Sequence, residues 1–331
     1  MMPDAFSSAV HTAPRARWTD YLRMARLDHM TKHVFILPGL VLAWVLRDPP
    51  LEGAWLRILL GFASAVAVAS ANYILNEWLD RAFDAFHPDK SARPAVTTAL
   101  SPGPVWCSYA AASALGLWLA AQVGPVFLVT SLLFWLSGVA YNVKPLRTKD
   151  KPYLDVLSES FNNPIRLMLG WSMIEQTSVA PGSLLLAYWM GGAFLMGAKR
   201  LSEYREIAAG PGVGVLQRYR RSFRHYTEER LTISCFVYAL LSTLLIGFFM
   251  VKYRIEYLVA CPFVIAMFAH YLALSLRNGS VAQKPEKLFR EKRLMAISAL
   301  TLVAVVTLSF VNLPRLKALT EPHYLKLERR H

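Results

Sequence analysis

Nine consecutive residues, Asn76-Glu77-Trp78-Leu79-Asp80-Arg81-Ala82-Phe83-Asp84, hold the densest chemistry in the sequence. Asn76, Asp80 and Asp84 recur every four residues. On a helix they form one stripe with neighbouring Cβ atoms about 6 Å apart. Two carboxylates at that spacing can share a hard cation. An oxygen-only set suits Mg²⁺, which keeps waters and reaches substrate phosphates through one or two carboxylates. His87, Lys90 and Arg93 follow at once. Acid for a metal beside base for a phosphate is the chemistry of a diphosphate site. A solvated helix end beside a membrane would share this pattern over the nine residues alone, and the rest of the chain tips the balance.

A second polar constellation is Lys199-Arg200-Leu201-Ser202-Glu203-Tyr204-Arg205-Glu206. Lys199 and Glu203 are four apart, as are Ser202 and Glu206, so cation and carboxylate again share a helix face. A third runs through an apolar stretch: Asp155, Glu159, Asn162, Asn163 and Arg166. Ionisable groups at membrane depth are costly and face an interior cavity. A structural network of Glu159, Asn163 and Arg166 would line such a cavity as well. The short loop from Lys144 to Lys151 carries four cations, Arg147 among them, and can bind phosphate or simply mark a membrane boundary. Arg26 stands out in a basic leader. The breaker Gly210-Pro211-Gly212-Val213-Gly214 precedes a basic and aromatic helix expected over 218–227. That helix either covers the site or lies on anionic lipid.

These residues need long apolar elements to position them. The chain has 331 residues, 55% of them hydrophobic and 18% charged, with mean hydropathy +0.33. A soluble protein would carry about a quarter charged residues. The apolar residues fall in runs near the length a helix needs to cross the hydrocarbon core. Nine spans are expected: 34–46, 56–79, 105–122, 125–141, 154–174, 184–201, 231–251, 257–276 and 294–313. The first is short and broken by Pro38-Gly39. The expected organisation is an amphipathic leader at 1–32, a nine-helix membrane domain at 33–313 and a basic tail at 314–331. The first 30 residues are polar and show no cleavable signal pattern. Cys107, Cys235 and Cys261 lie in separate apolar runs without CxxC spacing and read as packing residues.

Charge sets the expected orientation. Alternate connections, beginning with the N-terminal segment, hold 26 of the 36 Lys and Arg residues. The opposite connections hold only Arg47, Arg57, Lys252 and Arg254. The positive-inside rule then places the N-terminus and the three polar constellations on the cytoplasmic side. Nine spans place the C-terminus outside, against the basic character of the tail. The net charge of +14 suits a partner surface of anionic lipid and phosphorylated substrates. No feature points to nucleic acid.

The acidic motif after span two and the polar motif after span six make the chain resemble the UbiA superfamily of intramembrane transferases. The family's first motif is usually Asn-Asp-x-x-Asp-x-x-x-Asp, and here Glu77 replaces the first Asp. Arg93-Pro94, Tyr141, Pro145-Leu146 and Asp155-Val156 are similar to further family positions. Family prenyltransferases usually carry a second Asp-rich motif after span six. Lys199-Arg200-x-x-Glu203 instead resembles the decaprenyl-phosphate phosphoribosyltransferase branch. His87-Pro-x-Lys90-x-x-Arg93-Pro94, Tyr226-Thr227 and the Pro285-Glu286…Arg290 region are similar to that branch too.

The resemblance implies an all-α bundle of nine transmembrane helices around a cavity open to the cytoplasm, in a bacterial inner membrane. It implies Mg²⁺-dependent transfer of phosphoribose from phosphoribosyl diphosphate to a polyprenyl phosphate. The alternative is transfer of a prenyl group from a prenyl diphosphate to an aromatic or other small acceptor. A transporter of a phosphorylated lipid or solute would show inverted repeats and broken helices near the midplane, and no clear repeat is visible. Asp80, Asp84, Lys199 and Glu203 are the expected catalytic residues, with Glu77, Asp80 and Asp84 at the metal. Arg26, Asn76, Lys90, Arg93, Arg147, Arg166, Arg200 and Tyr226 are expected to contact substrate.

Overall fold

The protein is described by a computed structural model covering residues 14–48, 52–277 and 290–316. The basic tail beyond residue 316 and the Pro285-Glu286 match lie outside the described residues. Thirteen α-helices follow in chain order: α1 (Trp18–Met24), α2 (Leu37–Arg47), α3 (Ala54–Asp84), α4 (Pro94–Thr97), α5 (Pro102–Val123), α6 (Pro125–Asn142), α7 (Leu154–Ser160), α8 (Asn162–Ile174), α9 (Gly182–Ala209), α10 (Val213–Tyr219), α11 (Glu228–Tyr253), α12 (Cys261–Ser275) and α13 (Lys292–Phe310). The described residues contain no strand, only an isolated bridge between Arg15 and Ala99.

Among the described residues, seven helical stretches are long and apolar enough to cross a membrane: Trp18–Arg47, Ala54–Asp84, Pro102–Val123, Pro125–Asn142, Glu228–Tyr253, Ile255–Ser275 and Lys292–Phe310. The other two expected spans are helical but more polar. The stretch 154–174 is divided into α7 and α8 at Phe161, and α9 carries its charges inside the helix. The short first span is preceded by a 3-10 segment, Leu27–Ile36. The helix expected over 218–227 is not continuous. α10 ends at Tyr219, a 3-10 turn covers Arg221–Arg224, and α11 begins at Glu228 under a Thr227 cap.

Small residues allow the long helices to approach closely. A Cβ on Gly39 of α2 would lie 1.9 Å from the Leu167 carbonyl oxygen of α8, and one on Gly170 of α8 would lie 2.0 Å from the Ile36 carbonyl oxygen. The two backbones therefore touch at two levels. Trp171, Leu167 and Met168 fill the core beside that contact, against Leu42, Leu184, Phe249 and Tyr257. Large apolar side chains such as Trp55, Leu59, Trp118, Phe236 and Phe248 lie exposed on the outer faces, where lipid is the natural solvent.

Length positions the polar residues. α3 has 31 residues and α9 has 28, so each is over 40 Å long at about 1.5 Å per residue. Both exceed the hydrocarbon thickness of about 30 Å. The last two turns of α3, with Asp80 and Asp84, meet the C-terminal third of α9, with Lys199, Arg200 and Glu203, at one end of the bundle. His87 just beyond α3 contacts Glu203 there at 3.1 Å.

The α2–α8 contact predicts a specific sensitivity. Gly39→Ala forces a methyl into backbone and should destabilise the protein by about 1–3 kcal/mol. Gly103→Ala, where nothing lies within 4 Å, should leave stability unchanged. Thermal unfolding of the two purified variants in detergent checks the difference.

Candidate active site

One cavity of about 1560 Å³ runs from the polar end deep into the bundle. It exceeds the usual range for small-molecule sites, about 300–1,000 Å³. Its polar half is lined by α3, the leader, the loop after α3, α8 and α9. Its apolar half is lined by side chains such as Leu184, Ile246, Phe249, Met267, Phe268 and Leu302 from α9, α11, α12 and α13. A charged head at the polar end and a hydrocarbon chain in the apolar arm fit this shape together.

The α3 stripe builds the first pole. Asp80 Oδ1 accepts from Arg147 Nη2 at 2.8 Å and from Lys149 Nζ at 2.6 Å. Both cations come from the loop between α6 and α7. Lys149 also donates to Asn142 Oδ1 at 2.6 Å, as does Asn76 Nδ2. Burial lowers the Lys149 pKa to about 8, although Asp80 opposes the shift; at neutral pH the ammonium keeps its charge. Asp80 Oδ2 receives only a 3.2 Å hydrogen bond from Asn76. Asn76, Glu77 and Asp80 all line the cavity.

These donors fit a hard cation. Asp80 Oδ2 and the Asn76 amide oxygen are hard oxygens on the cavity wall. No group of three His, Cys, Asp or Glu residues is placed to hold a metal among the described residues. The set therefore suits Mg²⁺ carried in with a diphosphate, whose oxygens and waters complete the shell, rather than a standing protein cage. Glu77 faces the same cavity but its Oε1 accepts the Ala95 backbone N–H at 3.2 Å.

Asp84 stands differently from the expectation of a direct ligand. It is 1% exposed, lies off the cavity lining, and is ion-paired with Arg93. The return loop folds over the last turn of α3, so Glu77 and Asp84 both hold that loop while Arg93 reaches the cavity wall. Lys90 also lines the cavity, donates to the Tyr219 hydroxyl and lies 4.0 Å from that ring's centroid. Burial holds its pKa well below the usual lysine value, against the pull of Glu203 and Asp84.

The second pole is centred on Arg200 of α9, 2% exposed. Its Nε faces Asp155 Oδ2 at 3.4 Å, its Nη2 donates to Glu159 Oε2 at 2.8 Å and its Nη1 to Glu203 Oε2 at 3.2 Å. Glu203 Oε1 accepts from His87 Nε2. His87 Nδ1 accepts two backbone N–H groups, from Asp89 and Lys90, so the proton sits on Nε2. Burial lowers the His87 pKa despite Glu203, in keeping with a neutral ring.

Asp155, wholly buried, receives Ser222 Oγ at 3.0 Å, Arg220 at 3.5 Å and the Tyr226 hydroxyl. Tyr226 in turn accepts the Tyr153 N–H at 2.7 Å and lies off the cavity lining. It supports Asp155, whereas the motif match suggested contact with substrate. Arg147 is likewise off the lining, behind Asp80. The remaining expected residues, Arg26, Lys90, Arg93, Arg166, Lys199, Arg200 and Glu203, all reach the cavity wall with Asn76, Glu77 and Asp80.

Sequence reasoning missed several members. Lys149 holds Asp80, and Asn142 accepts from both Lys149 and Asn76. Arg220, in the segment expected either to cover the site or to lie on anionic lipid, faces inward and donates to Tyr141 at 3.3 Å. Lys32 lines the cavity below the leader. The Lys-rich loop was a signal for Lys149. Nothing local separated Arg220 from its neighbour Arg221.

Comparison with known proteins now decides the family. The model of the UbiA prenyltransferase family matches residues 34–300. The chain belongs to this family. It is 26% identical over 241 residues to protoheme IX farnesyltransferase of Alkalihalophilus pseudofirmus, covering 70% of the chain and 76% of the relative. It is 29% identical over 143 residues to 4-hydroxybenzoate octaprenyltransferase of Pseudomonas aeruginosa, covering 42% and 44% of the two proteins. A UbiA homologue of Archaeoglobus fulgidus bound to GPP and Mg²⁺ superimposes with TM-score 0.65 at 23% identity, over 88% of the chain and all of that structure. A digeranylgeranylglyceryl phosphate synthase structure superimposes with TM-score 0.60 at 15% identity, over 88% of the chain and 98% of that structure. The fold of this UbiA-family membrane enzyme is thus shared with a structure bound to GPP and with a digeranylgeranylglyceryl phosphate synthase.

The placement of Tyr226 is testable. Tyr226→Phe removes one hydrogen bond to Asp155 and the acceptor of the Tyr153 N–H. It should cost about 1–3 kcal/mol of stability while leaving the KM of either substrate close to that of the unaltered enzyme. Thermal unfolding and saturation kinetics on the variant check both halves.

Proposed function

We propose that this UbiA-family enzyme transfers phosphoribose from phosphoribosyl diphosphate to a polyprenyl phosphate, with Mg²⁺, at the cytoplasmic side of a bacterial inner membrane. The observation that carries the reading is the character of the second pole. Where family prenyltransferases usually have a second Asp-rich motif, α9 presents Lys199 and Arg200, and Arg200 engages the nearby carboxylates. Arg200 occupies those carboxylates, which leaves none free for a second metal, and Lys199 on the cavity wall suits another phosphate.

Asp80 and Asn76 would hold Mg²⁺, which neutralises charge on the departing diphosphate when bound. Arg93 and Lys90 face the same space and contact phosphate oxygens. The bond from the anomeric carbon to the diphosphate oxygen breaks, that carbon becomes cation-like, and an oxygen of the acceptor phosphate forms the new bond. Arg147 and Lys149 fix Oδ1 of the Asp80 carboxylate from behind and Asn76 steadies Oδ2, so the group is positioned before substrate arrives. Asp84 holds Arg93 in place. Glu203 orients His87 and accepts from Arg200.

A second reading has specific support as well. The curated relatives are a farnesyltransferase and an octaprenyltransferase. The same carboxylate pole would serve a prenyl diphosphate, with an aromatic or other small acceptor in place of the lipid phosphate.

The separating experiment offers purified enzyme each labelled donor, with a polyprenyl phosphate and with an aromatic acceptor, and identifies the lipid product. Phosphoribosyl-linked lipid supports the first reading. A prenylated aromatic product alone would establish the second. In the active pairing, Asp80→Asn should lower turnover by on the order of a hundredfold or more. The fold should persist, because Arg147 keeps Asp150 at 3.0 Å and the Asn142 carbonyl at 3.0 Å.

A further inference from the structure

The cavity contains positive charge that the first pole does not use. Arg166 of α8 lines it, 7% exposed, and its Nε has no hydrogen-bond partner. Its one hydrogen bond is a long one, 3.5 Å to the Asn162 carbonyl, and its guanidinium lies 5.1 Å from the Phe134 ring centroid. A buried guanidinium with an unpaired N–H is costly unless a ligand completes it. Lys199 lines the same wall. Its neighbour Arg200 takes Glu159, Glu203 and Asp155, while Lys199 itself makes no ion pair among the described residues. Lys32, from the 3-10 segment, lines the cavity 5.5 Å from the Tyr73 ring centroid.

Lys32 and Arg166 converge on the region around Tyr73, beside Arg26, and Lys199 approaches Lys32 from α9. Glu159, the carboxylate that attracts all three, makes its salt bridge to Arg200 instead. Glu159 is held by Arg200 and by the Tyr141 hydroxyl at 2.9 Å. Asp28 is exposed and faces His29. Tyr73 precedes Asp80 by seven residues on α3, about 10 Å along the helix. The cluster is therefore deeper than the metal-binding oxygens, on the way to the apolar arm.

We infer that Lys32, Arg166 and Lys199 form a second anion subsite, which takes the phosphate of a lipid phosphomonoester while its chain occupies the apolar arm. The inference deepens the proposed phosphoribosyl transfer and rests on it for the acceptor's identity. It also moves the acceptor phosphate away from Arg200, whose charge is already compensated. Two anions separated by this distance can bind together: the donor diphosphate at Asp80 through its metal, the acceptor phosphate on the three cations. Each cation supplies charge-assisted hydrogen bonds in an enclosed site.

Equilibrium binding to the full-length protein in detergent tests this, with three probes: farnesyl phosphate, farnesol, and inorganic pyrophosphate with Mg²⁺. Arg166→Gln and Lys199→Gln should each weaken farnesyl phosphate by on the order of tenfold or more. Farnesol and Mg-pyrophosphate should stay within about twofold. Arg166→Lys and Lys199→Arg should restore part of the phosphate affinity. Farnesyl phosphate affinity unchanged in both Gln variants would overturn the subsite. Loss of pyrophosphate with farnesyl phosphate retained would also overturn it, since the cations would then serve the donor. Should Arg166→Gln fail to fold, Lys199→Gln on the half-buried wall carries the test. Unaltered enzyme that binds farnesyl phosphate through these residues yet makes no phosphoribosyl lipid would defeat the proposed reaction and leave the subsite standing.

Discussion

The polar end of the molecule depends on the contact between one guanidinium and three carboxylates. Arg200 faces Asp155, Glu159 and Glu203 in a place water barely reaches. None of these charges could stay there alone, because breaking such a cluster leaves an uncompensated charge in a low dielectric. Each carboxylate then recruits another element. Glu203 takes His87 and so fixes the loop after α3. Asp155 takes Ser222, Arg220 and Tyr226, and so draws the segment between α9 and α11 over the end of the bundle. Glu159 takes Tyr141 and ties in α6. The charges that look like a second reactive motif in the sequence form the frame on which the cavity wall is hung.

That frame separates two electrostatic environments. Around Asp80 a carboxylate is held by two cations from behind and presents one oxygen to the cavity. Deeper in, Lys32, Arg166 and Lys199 make no salt bridge among the described residues, and Glu159, which attracts them, is paired with Arg200. The apolar arm begins beyond them. A reaction that expels a diphosphate and attacks with a second anion needs opposed environments of this kind, since like-charged substrates otherwise repel each other. Family membership alone does not select such a reaction, because the shared fold serves several acceptors. The selection lies in which side chains reach the wall.

The membrane class, the elements and the family could be read from the chain because hydrocarbon imposes apolar runs of fixed length and the Asn76–Asp84 motif is dense. The break at Phe161 was not visible in the run 154–174, since a helix interrupted by one turn keeps the same apolar pattern. Periodicity placed Asp84 with Asn76 and Asp80, yet Asp84 is covered by the return loop and paired with Arg93, a tertiary contact that spacing along α3 does not encode. Tyr226 and Arg147 were found as polar residues near the site, but the sequence gives no means of telling a wall residue from one standing behind it. Arg220 and Arg221 are adjacent and chemically identical. Only the turn after Tyr219 sends the first inward to Tyr141 and Asp155.

We propose Asp80 and Asn76 as the metal–diphosphate pole, with no metal bound among the carboxylates around Arg200. An experimental structure with Mn²⁺ in place of Mg²⁺, together with pyrophosphate, tests it most directly through the anomalous signal of the metal. One metal peak is expected beside Asp80 Oδ2 and the Asn76 amide oxygen, with phosphate oxygens turned toward Arg93. A peak among Asp155, Glu159 and Glu203, with Arg200 displaced, would contradict it.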